Sequence, residues 1–172
     1  AIMISASLFA GNMLSVSSAT DDGAGNVSFT LGYAFDDAVA GFQFDLMTDG
    51  TVELTGAEGG AAGDAGFMIS TNASGTVIGF SLTGATIEAG SGDFVTISGT
   101  YDVANVGTSV LVEAYDSCMD DGTAGCDDDD TRMVLSNSAG EALESDFHEA
   151  AWDVGTGTVT LGNDFDGKIH TY

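Results

Sequence analysis

Residues 27–46 read VSFTLGYAFDDAVAGFQFDL, and their alternation decides the fold. In the first half Val27, Phe29, Leu31, Tyr33 and Phe35 alternate with Ser28, Thr30, Gly32 and Ala34. Successive side chains of an extended chain point to opposite faces, so this run has one bulky face and one small face, the pattern of a half-buried strand. Asp36-Asp37 interrupts it. A second run follows from Val39 to Leu46, with Phe42, Phe44 and Leu46 on one face and Gln43 and Asp45 on the other. Two such runs in succession predict an antiparallel pair.

Working outward, the same period recurs in Met3–Phe9, Met13–Ser18, Thr51–Thr55, Gly66–Thr71, Thr76–Leu82, Phe94–Asp102, Ser109–Tyr115, Arg132–Ser136 and Gly157–Leu161. In Thr76–Leu82 the bulky series Ile78, Phe80 and Leu82 is the one expected to face inward. Between the runs stand DDGAGN (21–26), TDG (48–50), NASG (72–75), EAGSG (88–92) and GTG (155–157), rich in residues that tolerate positive φ or bond their own backbone. Helical periodicity is absent over any ten residues; Gly140–Ala150 alone suggests one short helical turn, around Leu143 and Phe147. About nine short strands spaced ~8–12 residues apart, without helices, predict an all-β antiparallel sandwich or barrel. The chain has no Pro, a usual guard of sheet edges, so charge must protect them.

Charge is abundant and of one sign: 27 Asp and Glu stand against Arg132 and Lys168, a formal net charge of −25 on 172 residues. Two basic side chains cannot neutralise a row of phosphates, which excludes nucleic acid as a partner, and the excess acid argues against anionic membrane surfaces. Such a polyanion suits a salty, divalent-rich, extracellular medium. Ten Phe and 44% hydrophobic residues exclude a disordered acidic tail.

Residues 1–19, AIMISASLFAGNMLSVSSA, carry no charge and are too broken by Ser, Gly11 and Asn12 for a membrane-spanning helix of ~20 apolar residues. Residues 1–11 read as an N-terminal apolar strand or arm that could pair with a neighbour's sheet edge, with Ile2, Met3, Ile4, Leu8 and Phe9 as the assembling side chains. Residues 12–172 form one sandwich domain.

The chemically densest stretch is the loop at 116–130. Cys118 and Cys126, separated by seven residues, read as a local disulfide staple formed in an oxidising compartment, with two free thiols as the alternative. His148 and His170 stand at no zinc-finger spacing from the pair. Around it lie Asp116, Asp120, Asp121, Asp127, Asp128, Asp129 and Asp130, seven carboxylates in fifteen residues. Ca2+, which takes six to eight oxygens in flexible geometry, is the cation such a loop would hold. A solvated acidic tip, screened only diffusely, is the alternative reading. Gly162–Gly167 resembles the start of a Ca2+ loop but has no closing Glu.

The order of VAGFQFDL (39–46), GAEGGAAGDAGFMIS (56–70), TVIGFSLTGATIEAGSGDFVTISGTYDV (76–103) and MVLSNSAGEAL (133–143) resembles the cohesin-like (carbohydrate-binding-module-like) β-sandwich family, over roughly residues 12–162. The resemblance implies a jelly-roll sandwich of about nine strands, displayed as a module of extracellular proteins, and similar modules occur in structural proteins of marine bacteria and phages. The Asp-rich insert at 116–130 stands outside that pattern.

Catalysis has little support, because neither histidine lies in a nucleophile-elbow context and one Trp, Trp152, is too few for an aromatic sugar groove. Asn26-Val-Ser and Asn72-Ala-Ser match the short glycosylation pattern. The sequence therefore points first to a non-enzymatic structural module of an extracellular filament, cell surface or virion surface, which assembles with copies of itself or with neighbouring structural subunits and does not insert into membranes. A cohesin-type module recognising a protein or glycan is the alternative, and a glycoside hydrolase the third reading.

Overall fold

A computed structural model describes residues 11–48, 50–115 and 133–161. The described residues form thirteen strands: β1 (Asn12–Asp21), β2 (Asn26–Phe35), β3 (Gly41–Met47), β4 (Val52–Glu58), β5 (Met68–Thr71), β6 (Thr76–Phe80), β7 (Gly90–Tyr101), β8 (Ser109–Tyr115), β9 (Met133–Ser136), β10 (Ala142–Leu143), β11 (Ser145–His148), β12 (Ala150–Asp153) and β13 (Thr158–Leu161). Among the described residues one helix, α1 (Gly60–Asp64), lies between β4 and β5. The result is the expected all-β sandwich. One sheet has the order β11-β1-β2-β7-β4; in the other, β3 is flanked by β6 and β5 on one side and by β9 and β8 on the other, with β12 and β13 continuing beyond β8. All pairings are antiparallel except β1 with β11.

The pairing expected between residues 27–35 and 39–46 does not form. β2 pairs with β1 and β7, and β3 with β6, β8 and β9. Both runs carry a bulky face, and each face needs cover, so the chain crosses between sheets at Asp36–Ala40 and the two strands lie in opposite layers. The crossing is pinned by the reciprocal backbone bonds of Val39 and Ile87, at 2.9 and 2.8 Å. Phe35 and Phe42, one from each run, both meet Phe94 of β7, with ring centroids 5.6 and 4.7 Å apart. Phe29, Phe44, Leu14, Leu31, Ile97, Met133 and Leu135 complete the buried layer, and each such side chain contributes ~1.5–3 kcal/mol through removal from water.

The helical turn expected over Gly140–Ala150 is also absent. A helix would place Leu143 and Phe147 on one face, whereas here Leu143 sits opposite Leu135 of β9 and Phe147 opposite Leu14 of β1. The two side chains serve different sheets, and three short strands, β10 to β12, replace the turn. Conversely, the five residues of α1 are too few and too Gly-rich to show a period; Ala62 is buried beneath β7. Gly60 has φ +60°, and a Cβ there would strike the backbone of Phe94.

The third difference concerns β6. Val77 and Gly79 face the core, Ile78 is half-buried on the outer face, and Phe80 and Leu82 are exposed, the reverse of the expected orientation. The cause lies across the sheet: the Phe42 ring occupies the space under Gly79, where any Cβ would collide with it. Only a glycine fits inward at that position, so the bulky series must turn out.

Candidate recognition face

The reversal of β6 creates an outer face unlike the rest of the surface. Register sets its rows. Met68 of β5 lies opposite Phe80, which lies opposite Gly41, itself opposite Ser136. The next row runs Ser70, Ile78, Gln43, Val134. Side chains directly opposite on one face touch, so Met68 meets Phe80, with Ile78 next along the same face of β6; Val134 stands on the same outer face two strands away, across Gln43 of β3. Met68 is 53% exposed, Phe80 43%, Val134 41% and Leu82, just beyond β6, 74%. No carboxylate stands among the outward residues of β5, β6 or β9; Asp45, opposite Thr76, marks the patch's edge. In a chain of net charge −25 this is a neutral, largely apolar area with Asp45 at its edge.

The patch is held rigidly from below. Phe42 stacks on Phe67 at 6.1 Å and on Phe44 at 6.0 Å, which fixes the inner side of β3 and the approach to β5. The Ser136 hydroxyl donates to the Gly41 carbonyl at 3.3 Å, and a backbone bond from Ala40 N–H to the Ser136 carbonyl closes the β3–β9 junction at 2.7 Å. A face of this kind binds by exclusion of water from apolar side chains on a preformed surface, without chemistry of its own.

Ionisable groups are organised elsewhere, at the end of β1 remote from Gly11. The Asp21 carboxylate accepts from the Tyr101 hydroxyl at 2.7 Å, Gly23 N–H at 2.8 Å and Gly155 N–H at 2.6 Å, joining the β1–β2, β7 and β12–β13 turns. Burial works against its ionisation, but the three donors prevail and hold it below the usual carboxylate range. Tyr101 is pushed up to about 12, by burial first and then by its bond to Asp21. Asp22 is lowered by the Asn26 side chain and by the N–H groups of Asn26 and Ala24. Asp102 is lowered by the Asn105 side chain and Ala104 N–H. These bonds shape turns, and among the described residues no three acidic, His or Cys side chains are grouped to hold a metal.

Of the residues singled out from sequence, the assembly set Ile2, Met3, Ile4, Leu8 and Phe9, the pair Cys118 and Cys126, the seven loop aspartates from Asp116 to Asp130, and Gly162–Gly167 lie outside the described residues. Trp152 is fully buried, edge-on to Phe29 at 5.4 Å and to Tyr101 at 5.3 Å, a core residue and not a sugar platform. His148 ends β11 and is half-buried. The side chain of Asn26 donates to Asp22, and Ser28 of its motif is bonded to Ser98 within the sheet. Asn72 caps its turn by accepting from Ser74 and Thr76 N–H. The alternation of β6 points its bulky series inward and so hides the patch; the signal for the reverse orientation is Gly79, a residue without a side chain in the series that faces the core.

Among the described residues no helix is long and apolar enough to cross a membrane. No protein-family model matches the sequence, and no curated protein matches it. The fold does have solved counterparts. A non-cellulosomal cohesin from the archaeon Archaeoglobus fulgidus is similar with TM-score 0.59 at 9% identity, over 86% of this chain and 93% of that one. The sixth cohesin of scaffoldin B from Acetivibrio cellulolyticus, in complex with a Cel5 dockerin, gives 0.58 at 14% identity, over 84% and 99%. A type I cohesin–dockerin complex from Clostridium thermocellum gives 0.55 at 10%, over 83% and 99%. The architecture is thus a cohesin-like β-sandwich.

Proposed function

We propose that this chain is a non-catalytic, extracellular protein-recognition module and that the neutral apolar face of β5, β6, β3 and β9 is where its partner docks. The single observation that carries this is Met68 and Phe80 exposed opposite one another on a rigid sheet, with Val134 exposed two strands away on the same face, in an otherwise polyanionic protein. Cohesins solved together with dockerins share the fold and support the reading. A partner suited to this face offers an apolar strip with basic residues around it, which the net charge of −25 would steer. The self-assembly reading rests on residues 1–10, whereas the recognition reading rests on a described surface and therefore stands first.

The test is biolayer interferometry of the 172-residue chain against a panel of dockerin modules. Phe80→Asp places a charge at the centre of the face and should weaken any binding at least ~10-fold, equivalent to ~1.4 kcal/mol. Val103→Asp, on another exposed apolar side chain beyond β7, should leave it unchanged. Binding that survives Phe80→Asp would remove the face from the interaction.

A further inference from the structure

The two glycosylation patterns of the chain are built into different surroundings. Asn72-Ala-Ser forms the tip of the β5–β6 hairpin, and Asn72, Ala73 and Ser74 are all exposed. Backbone bonds from Asn72 N–H to the Thr76 carbonyl, at 3.1 Å, and from Gly75 N–H to the Asn72 carbonyl, at 3.2 Å, set the shape of the tip. The Asn72 side chain closes it. Its Oδ1 accepts from Ser74 N–H at 3.0 Å, from the Ser74 hydroxyl at 2.9 Å and from Thr76 N–H at 3.1 Å. Two backbone N–H groups can be met only by the oxygen of an amide, so Nδ2 is the atom left over, and it donates to none of the described residues. Asn26-Val-Ser is the opposite case. Asn26 opens β2, opposite Thr100 of β7; its Nδ2 donates to the Asp22 carboxylate at 2.6 Å, and the Ser28 hydroxyl is bonded to Ser98 at 3.1 Å within the sheet.

We propose that Asn72 is a site of N-linked glycosylation in the folded protein and that Asn26 is not. The ligand class is a saccharide carried on a lipid pyrophosphate and delivered by an oligosaccharyltransferase. In the transfer Nδ2 of Asn72 forms a bond to the anomeric carbon, and the bond from that carbon to the phosphate oxygen breaks with its electron pair. Nδ2 gives up one of its two protons, and the lipid pyrophosphate leaves. The motif requires the amide and the hydroxyl two residues on to be engaged together. At Asn72 both stand on one exposed tip, already 2.9 Å apart at Oδ1 and the Ser74 oxygen. Engaging the same pair at Asn26 means breaking its bond to Asp22 and that of Ser28 to Ser98, and lifting the start of β2 from β7. The hairpin also accommodates the product, because a substituent on Nδ2 leaves all three bonds to Oδ1 in place. The inference stands apart from the recognition face, since neither needs the other.

Transfer in vitro tests it. The folded 172-residue chain is incubated with a single-subunit oligosaccharyltransferase that requires only Asn-X-Ser/Thr and with a lipid-pyrophosphate-linked oligosaccharide, and attachment at each Asn is followed by peptide mass spectrometry. Synthetic peptides 21–31 and 67–77 give the rate of each motif without the fold. Relative to its own peptide, Asn72 in the chain should react within ~3-fold, whereas Asn26 should fall at least ~10-fold, the factor for giving up a hydrogen bond to a carboxylate. Ser74→Thr should keep attachment at Asn72 and Ser74→Ala should abolish it, with Asn72→Gln as the blank. Attachment to peptide 67–77 but not to Asn72 of the chain would overturn the proposal, and so would no attachment to either. Asn26 reacting as fast in the chain as in its peptide would overturn the distinction between the two sites.

Discussion

β2 and β6 carry the same pattern and put it to opposite uses. In β2 the bulky series Val27, Phe29 and Leu31 fills the core and the small series Ser28, Thr30 faces out, where Ser28 bonds Ser98 at 3.1 Å. In β6 the bulky series Ile78 and Phe80 faces out, over an inner row of Val77 and Gly79. Alternation states that two faces differ; which one is buried depends on what the opposite surface leaves free. Beneath β6 the Phe42 ring has taken the space, and the strand's apolar side is released to solvent. A strand that faces the core and one that presents its apolar side to solvent can thus be written alike.

The comparison breaks or holds on paired truncations. Phe29→Ala should destabilise the fold by ~3–5 kcal/mol, the cost of a large core cavity. Phe80→Ala should stay within ~0.5 kcal/mol, as for an exposed side chain. Guanidinium unfolding followed by the fluorescence of Trp152, the one Trp and fully buried, measures both. Similar costs at the two sites would mean that β6 packs inward after all. Gly79→Val is the next largest test. Its side chain would meet the Phe42 ring, so a loss of ~1–3 kcal/mol is expected, or a fall of several degrees in Tm by calorimetry. A neutral Gly79→Val would show that Phe42 does not dictate the orientation of β6.

These pairs also explain what could be seen in the sequence. Strands with a hydrophobic period and clear turns, such as β2, β3 and β7, were visible because the period is local. The layer each strand joins was not, since Asp36–Ala40 can serve as a hairpin or as a crossing, and only the need to cover two bulky faces at once selects the crossing. β10 to β12 escaped notice for the same reason: Leu143 and Phe147 sit at helical spacing, but each is claimed by a different sheet. Buried Asn12, which ties the start of β1 to Asp36, Asp37 and Glu144, carries no visible sign of that role, because its bonds run to residues 24 and more positions away. The apolar outer face is legible only in outline, as Ile78, Phe80 and Leu82 in one series, and its direction is set by a ring 37 residues earlier in the chain.

The smallest effects belong to the corner where β1 ends, and they test whether the face is independent of it. Tyr101→Phe removes the hydroxyl bonded to Asp21 and should cost ~1 kcal/mol at neutral pH. It should add to the effect of Phe80→Ala, because the two share no contact partner. The pH dependence follows from the direction of each shift. The Tyr101 proton is held more tightly in the folded state, up to about 12, so its stabilisation is complete below the ordinary tyrosine value of 10.0 and is lost as pH rises from there through the folded value. The phenylalanine variant should lack that part of the alkaline decline. Asp21 shifts the other way: its stabilisation is complete above the ordinary value of 3.8 and is lost as pH falls through its lower folded value. Relief of the −25 charge on acidification acts on every variant alike, so the readout is the difference between the parent and Asp21→Asn. That difference, in denaturant midpoint across pH 2–7, should be constant near neutrality and shrink only below 3.8. A gap that stayed constant to the lowest pH would mean that the Asp21 carboxylate does not hold the three turns together as an anion.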